Sequence, residues 1–366
     1  KRQALFVAVV NCTDAGVEFV FGSGFAEHYF AFKVLPTIIF FSAFMSIFYY
    51  YGIMQWVVGV MARIMQWTLG TSGAETLSAA ANVFVGQTEA PLVIRPYISK
   101  MTMSELNAVM VGGFATIAGG VLAAYVDMGI SPKHLLSASV ISAPAALLIA
   151  KIMQPEVDQP QTLGTVKIRV EDHSSNVLEA FAAGTSSGLK LALNVGAMLI
   201  TFLALIAVVN ALLGWCAVQY QTIGEQFAWL PEGAPPAWTL EALLGWTFAP
   251  LAWIMGIRWE DCPRAGELLG LKTVANEFVA YMRLGELAPP LEDGGFSEEV
   301  FSNRTRVILT YALCGFANLS SIGIQLGGIG GIAPERRGDL AKLGFRAMIG
   351  GTLAAFMTAC IAGMLL

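Results

Sequence analysis

Charge is what this sequence has least of. Only 13% of its 366 residues are Asp, Glu, Lys or Arg, about half the share of a soluble globular chain, too few to solvate a surface of this size. The 21 basic and 26 acidic residues leave a net charge of −5 with no basic tract, which argues against a nucleic-acid partner. Histidine is nearly absent. His28, His134 and His173 sit near charged or loop-like flanks, which argues against a Ser-His hydrolase inside a membrane, and no HExxH zinc helix is present. Cys12, Cys216, Cys262, Cys314 and Cys360 are scattered singly without a CxxC pair, suggesting neither a zinc site nor a disulfide framework. No cleavable signal peptide is visible, because the apolar run after Lys1-Arg2 is interrupted by Asn11 and Asp14.

What is present is apolar. Hydrophobic residues make up 56% of the chain and the mean hydropathy is +0.64. The 38 Gly and 15 Pro suit broken and closely packed membrane helices. Uncharged runs cover Val34 to Ala62, ending in a Tyr-Trp cluster suited to an interface, then Leu106 to Val126, Leu191 to Gly224, Val307 to Pro334 and Ala347 to Leu366. Leu135 to Ala150 and Ala242 to Ile257 are shorter and read as tilted or partial spans. The basic cluster Arg336, Arg337, Lys342 and Arg346 does not set an orientation, since charges elsewhere are mixed.

Two segments do not read as ordinary spans. Residues 75–96 carry Gln87-Thr88-Glu89 and Pro91 in their middle, and residues 265–282 contain Lys272 and Glu277. Polar, irregular backbone at membrane depth must be shielded by protein or line a wet cavity, so both are expected to be re-entrant helical hairpins. An internal repeat relates them. Ala81-Asn82-Val83-Phe84-Val85 recurs as Ala275-Asn276-Glu277-Phe278-Val279, and Gly113-Phe114-Ala115-Thr116-Ile117 as Gly315-Phe316-Ala317-Asn318-Leu319. The offsets are 194 and 202 residues, and the difference falls near residues 284–297, where Pro289, Pro290, Gly294 and Gly295 mark irregular chain. This organisation gives an N-terminal interfacial segment (1–31), a first repeat half (32–150), a polar connecting loop (151–190) and a second half (191–366). The fold class is all-α polytopic membrane protein, and matched, interrupted hydrophobic segments point to a secondary transporter.

Glu89 and Glu277 are the sharpest chemical signals, because an intramembrane carboxylate is costly unless paired or hydrated. Their structural alternatives are a Glu89–Arg95 pair and a wet hairpin tip around Glu277. Gln87 and Thr88 add donors and acceptors suited to a polar heterocycle. Asn318, Ser320 and Ser321 interrupt a Gly-rich apolar run, and Thr116 repeats the theme in the first half, as in discontinuous helices; close packing through small residues is the alternative. An unwound Thr116-Ile117 with Asn82 would offer oxygens to Na⁺. Gly327-Gly328-Ile329-Gly330-Gly331 lacks the strand, Lys and Ser/Thr of a phosphate-binding loop and reads as a flexible helix end.

The motifs Gly86-Gln87-Thr88-Glu89-Ala90-Pro91-Leu92-Val93-Ile94-Arg95-Pro96, Ala275-Asn276-Glu277-Phe278-Val279-Ala280-Tyr281 and Cys314-Gly315-Phe316-Ala317-Asn318-Leu319-Ser320-Ser321-Ile322-Gly323 resemble those of concentrative nucleoside transporters, bacterial type. The likeness runs from about Phe32 to the C-terminus. It implies two discontinuous transmembrane helices, a scaffold and a mobile transport domain holding both hairpins, in a homotrimer of a bacterial inner membrane. It further implies elevator-type symport of a nucleoside such as uridine, with no enzymatic activity and no cofactor beyond a coupling ion. By motif position, Gln87, Thr88, Glu89, Val121 and Phe316 would meet the nucleobase, and Glu277, Asn318 and Ser321 the ribose. Asn82, Val85, Thr116 and Ile117 would hold Na⁺, with H⁺ as the alternative ion. Family members begin with further N-terminal membrane helices that are absent from this sequence, and the loop after Tyr281 is long for the family. Alternative functions are a carrier of another small polar solute, a channel, or an intramembrane enzyme using Glu89 and Glu277 as an acid/base pair.

Overall fold

The computed structural model describes residues 12–24, 30–162, 175–226, 238–287 and 300–366. His28, His173, Pro289, Pro290, Gly294 and Gly295 lie outside the described residues, as do parts of the N-terminal segment and of the connecting loop. Among the described residues every regular element is helical. Among the described residues five helical segments are, by length and composition, long and apolar enough to cross a membrane: Phe30–Tyr50, Met103–Asp127, Pro132–Met153, Val177–Gln226 and Pro334–Met364. None of the five cysteines forms a disulfide.

The chain opens with α1 (Thr13–Phe21), tied to the start of α2 (Leu35–Tyr50) by a 2.7 Å ion pair between Lys33 and Asp14. The uncharged run from Val34 to Ala62 is not one span. Gly52, at φ +73°, ends the first helix and starts a second, α3 (Ile53–Leu69). A left-handed residue cannot continue an α-helix, and glycine takes that conformation without a Cβ penalty. Met54, Val58 and Met65 face inward on α3, whereas Trp56, Ile64 and Trp67 are exposed.

Both expected hairpins form. The first comprises α4 (Gly73–Ala81), a non-helical tip over residues 82–89, and the short helices α5 (Ala90–Val93) and α6 (Arg95–Ile98). The span at Leu106 to Val126 is broken into α7 (Met103–Ala115) and α8 (Gly119–Asp127), and α9 (Pro132–Met153) follows. The second half repeats this order. After α10 (Val177–Gln226) and the short α11 (Leu240–Ile254) come hairpin helices α12 (Cys262–Val274) and α13 (Glu277–Leu287). The broken pair α14 (Asn303–Leu313) and α15 (Leu319–Ile332) leads into α16 (Arg337–Met364). Each half thus runs in the same order: a first helix (α2 or α10), a shorter one (α3 or α11), a hairpin, a broken helix pair and a final long helix.

The sequences at the helix starts explain where hairpin 1 begins. Ser72-x-x-Glu75 and Thr102-x-x-Glu105 are capping boxes, with each Glu accepting the N–H of its own cap residue at 2.7 and 3.0 Å. Ser72 also donates to Glu105 at 2.6 Å, which ties the base of hairpin 1 to α7. Lys151, read from composition as the first loop residue, belongs to the last turn of α9 and pairs with Glu75 at 2.8 Å and Glu156 at 3.2 Å. Helix α10 likewise starts at Val177, inside the stretch read as connecting loop. Asn176 accepts the Glu179 N–H and caps it. The polar character of residues 177–190 marks a closely packed helix. A Cβ on Gly188 would lie 2.8 Å from the Ile39 Cα, and one on Gly184 2.9 Å from the Ala43 Cα, so α10 meets α2 backbone to backbone.

Helices α2 and α10 form the scaffold layer, and the hairpins, broken helices, α9 and α16 pack together as the second layer. Arg336 holds the foot of hairpin 1 by donating to the Ile98, Ser99 and Met101 carbonyls at 3.3, 3.3 and 2.6 Å.

Candidate functional site

The two broken helices cross at their breaks. The Phe316 N–H donates to the Thr116 carbonyl at 3.2 Å, so each interruption supplies what the other lost. Gly315 sits at φ +132° in this crossing, and a Cβ there would be 2.7 Å from the Phe114 oxygen. The hairpin tips converge on the same crossing. Gly119, the first residue of α8, donates to the Phe84 carbonyl of tip 1 at 3.1 Å.

A continuous hydrogen-bonded chain then runs from hairpin 2 to hairpin 1. Tyr125 on α8 donates to Glu277 Oε1 at 2.9 Å, and Asn318 Nδ2 donates to Glu277 Oε2 at 3.2 Å. Asn318 Oδ1 caps α15 by accepting the Ser321 N–H at 2.9 Å and also accepts the Ser320 hydroxyl at 2.7 Å. Gln87 Nε2 of tip 1 donates to Ser321 Oγ at 3.1 Å, and Gln325 Nε2 donates to Gln87 Oε1 at 3.0 Å. Glu277, Asn318, Ser321 and Gln87 are all buried. Lys272, only 1% exposed, donates to the Ala312 carbonyl at 2.9 Å near the C-terminal end of α14, where a cation suits the helix dipole. Phe316 gives its N–H to Thr116, so that carbonyl lacks its usual helical donor and Lys272 replaces it.

The structure places the remaining expected residues on either side of this chain. Val121 is buried in the second-half core, and Phe316 packs partly buried against the same core. Thr88 leans on α15, where a Cβ on Gly328 would come within 2.7 Å of its Cγ2. Glu89 is not in the hydrogen-bonded chain. It is exposed and, with Val85, lines a cavity of ≈ 300 Å³ between tip 1, Ser42 and Tyr49 of α2, and Gly184 and Ser187 of α10. Arg95 is also exposed, and no Glu89–Arg95 ion pair forms among the described residues. Gln87 and Glu89, two residues apart, therefore face different surroundings.

Asn82, Thr116 and Ile117 are buried, and Val85 is half-buried. The Thr116 hydroxyl donates to the Gly112 carbonyl at 2.9 Å, and the Asn82 amide lies against the same Gly112, whose Cβ would be 3.3 Å from Nδ2. Both polar atoms of the Asn82 side chain lack a hydrogen-bond partner at 0% exposure. A buried amide left so is costly, and an oxygen-liganded cation would satisfy its carbonyl end. The repeat mate of Asn82 differs: Asn276 Oδ1 is occupied, accepting the Val279 N–H at 2.9 Å to cap α13. These residues fit Na⁺. No group of three or more His, Cys, Asp or Glu suited to a metal occurs among the described residues.

Tyr125 and Gln325 belong to the chain but did not stand out in the sequence. The signal available for each was an uncharged polar group in a mostly apolar helix, which many packed helices also carry.

The family model "Na+ dependent nucleoside transporter C-terminus" matches residues 134–363, and the model "Nucleoside recognition" matches residues 31–132. The chain is 47% identical over 359 residues to Solute carrier family 28 member 3 of Eptatretus stoutii, covering 96% of this chain and 51% of the relative. It thus spans about half the length of that protein. It is also 47% identical over 382 residues to an uncharacterised transporter of Haemophilus influenzae, covering 99% and 85%. Among solved structures, that of CNTnw in an inward-facing substrate-bound state superposes with a TM-score of 0.87 at 43% identity, covering 99% and 84%.

Proposed function

The chain belongs to the concentrative, Na⁺-dependent nucleoside transporter family, whose members are integral membrane transporters and not enzymes, and on that premise we propose that it is a secondary active symporter of nucleosides. The observation that carries this reading is the buried chain from Glu277 through Asn318 and Ser321 to Gln87. It joins both hairpin tips through the N-terminus of α15, so a ligand held there would engage both repeats at once.

In this reading Glu277, Asn318 and Ser321 bind the ribose. A carboxylate beside an amide and a hydroxyl can accept from and donate to vicinal hydroxyls. A site built on such bonds rejects a sugar lacking them, because its own polar groups are left unpaired. Gln87 and Thr88 meet the nucleobase from the buried chain, Glu89 reaches it from the adjoining cavity at the α2–α10 boundary, and Val121 and Phe316 supply its apolar wall. Asn82 and Thr116 side chains, with the Val85 and Ile117 carbonyls, would hold Na⁺, which supplies positive charge and an ordered tip 1. Coupling between ion and substrate then amounts to ~1–3 kcal/mol. Alternating access is of the elevator type: the hairpin-bearing layer moves against the α2–α10 scaffold, and the cavity bounded by Glu89, α2 and α10 is the gap between them. The active form is a homotrimer in a bacterial inner membrane, with residues 32–150 and 191–366 as the two repeat units.

The test is uptake of labelled uridine into proteoliposomes with Na⁺ and H⁺ gradients imposed separately. Saturable uptake driven by Na⁺ and competed by unlabelled nucleosides is expected. Uptake unchanged when choline replaces Na⁺ at fixed pH would remove the sodium assignment, and conductance in single-channel steps would turn the reading into a channel. Native mass spectrometry checks the trimer.

A further inference from the structure

We infer that Gln325 is a positioning residue for base recognition: it fixes which end of the Gln87 amide faces the substrate. The inference rests on Gln87 contacting the nucleobase. Gln325 lies on α15, is 0% exposed, and uses one group, Nε2, for two bonds: to Gln87 Oε1 at 3.0 Å and to the Met110 carbonyl at 3.1 Å. A backbone carbonyl only accepts, so the Gln325 amide can face Met110 in one orientation alone, NH₂ toward the carbonyl. The same NH₂ then meets Gln87, which must turn its oxygen toward Gln325. Gln87 Nε2 is thereby aimed at Ser321 Oγ, 3.1 Å away, and keeps its second N–H for an acceptor on the base.

Polarity set by the hydrogen-bonded α7 backbone is thus relayed through two amides into the site. Gln325 flipped alone would set oxygen against oxygen at both Gln87 and Met110, Gln87 flipped alone would set NH₂ against NH₂, and flipping both would set Gln325 Oε1 against the Met110 carbonyl. The pair fits because residue 113 is glycine: a Cβ there would stand 2.7 Å from Gln325 Nε2 and 2.9 Å from Gln87 Cβ. Gln325 Oε1 has no hydrogen-bond partner. Packing alone would be served better by an apolar side chain of this size, which leaves the NH₂ end as the part with a task. Gln87 therefore acts as a donor, and the bases preferred are those presenting a ring carbonyl or ring nitrogen to it.

The experiment measures inhibition constants of uridine, cytidine and 2-thiouridine against labelled uridine, in proteoliposomes bearing wild type, Gln325→Leu, Gln325→Glu or Gly113→Ala. Cytidine replaces the C4 carbonyl by an amino donor and turns N3–H into an acceptor nitrogen, and 2-thiouridine weakens the acceptor at C2. Wild type is expected to penalise at least one of them. In Gln325→Leu and Gly113→Ala that ratio to uridine should shrink about fivefold, the weight of one oriented hydrogen bond. Gln325→Glu, which replaces the shared NH₂ by an oxygen opposed to the Met110 carbonyl, removes the donor that fixes Gln87 and should shrink the ratio as well. A ratio is independent of how much carrier is folded, so a merely structural role would not move it. For any variant too unstable to reconstitute, the same ratios are read by calorimetric titration in detergent. Ratios within twofold of wild type in all three variants would overturn the relay. Gln87→Ala leaving the wild-type ratios intact would instead overturn the base contact itself.

Discussion

Glu277 accepts hydrogen bonds on both carboxylate oxygens, from the Tyr125 hydroxyl and the Asn318 amide. Gln at this position keeps the shape but turns an NH₂ toward one of those donors and removes the charge. Glu277→Gln is therefore expected to weaken uridine affinity about 10–100-fold, as for a hydrogen bond to a charged group, while the protein still folds and reaches the membrane. Wild-type uptake at equal abundance would remove Glu277 from the site. Asn82 makes the complementary case, since its amide has no protein partner to lose. Asn82→Ala should leave the melting temperature without Na⁺ unchanged or higher, but abolish the rise that Na⁺ binding confers on the native state. A variant whose melting point still climbs with Na⁺ as in wild type would show that the ion binds elsewhere. At this scale residue types were legible and pairings were not. An intramembrane Glu announces itself, whereas its partners Tyr125 and Asn318 come from segments 152 and 41 residues away.

Among the elements, α10 has the simplest packing requirement. Its contact with α2 rests on Gly184 and Gly188, four residues apart and so on one face of the helix. Gly188→Leu would force the backbones apart, and a loss of about 1–3 kcal/mol is expected, as for overpacking elsewhere. It should read out as a lower melting temperature in detergent; an unchanged value would mean that the two helices do not touch in solution. Hairpins and broken helices were readable because Gln87-Thr88-Glu89, Thr116 and Asn318-Leu319-Ser320-Ser321 interrupt apolar runs where lipid would not tolerate it. The break at Gly52 was not, since no charge marks it and one positive φ decides it. The extra turns at Lys151 and Val177 were hidden for the opposite reason. Their polarity imitates a loop, but Lys151 is neutralised by Glu75 and Glu156, and Asn176 caps α10.

For the whole molecule, the proposed elevator motion requires contacts between the α2–α10 scaffold and the hairpin-bearing layer to be temporary. Ser42 of α2 and Gly120 of α8 face each other across that boundary, with a Cβ on Gly120 falling 2.9 Å from Ser42 Oγ. That spacing allows a disulfide after a small adjustment. The pair Ser42→Cys with Gly120→Cys, in a background without Cys12 and Cys216, should lose nucleoside uptake on oxidation and regain it with reductant. Transport by the fully cross-linked carrier at the reduced rate would exclude sliding at this boundary. Hydrophobic runs had indicated two halves and a membrane location, but they carried no information on which helices move together.

The amino-acid order alone settled the membrane location, the repeat, the hairpins and the types of group available, because a scarcity of charge and a polar break in an apolar run are local properties of the chain. Only the folded arrangement joined Glu277, Asn318, Ser321 and Gln87 into one line, left Asn82 unpartnered and turned Glu89 to the scaffold boundary. Those outcomes depend on how two broken helices cross and which donor reaches which acceptor, and hydrogen bonds between segments hundreds of residues apart leave no periodic trace in sequence.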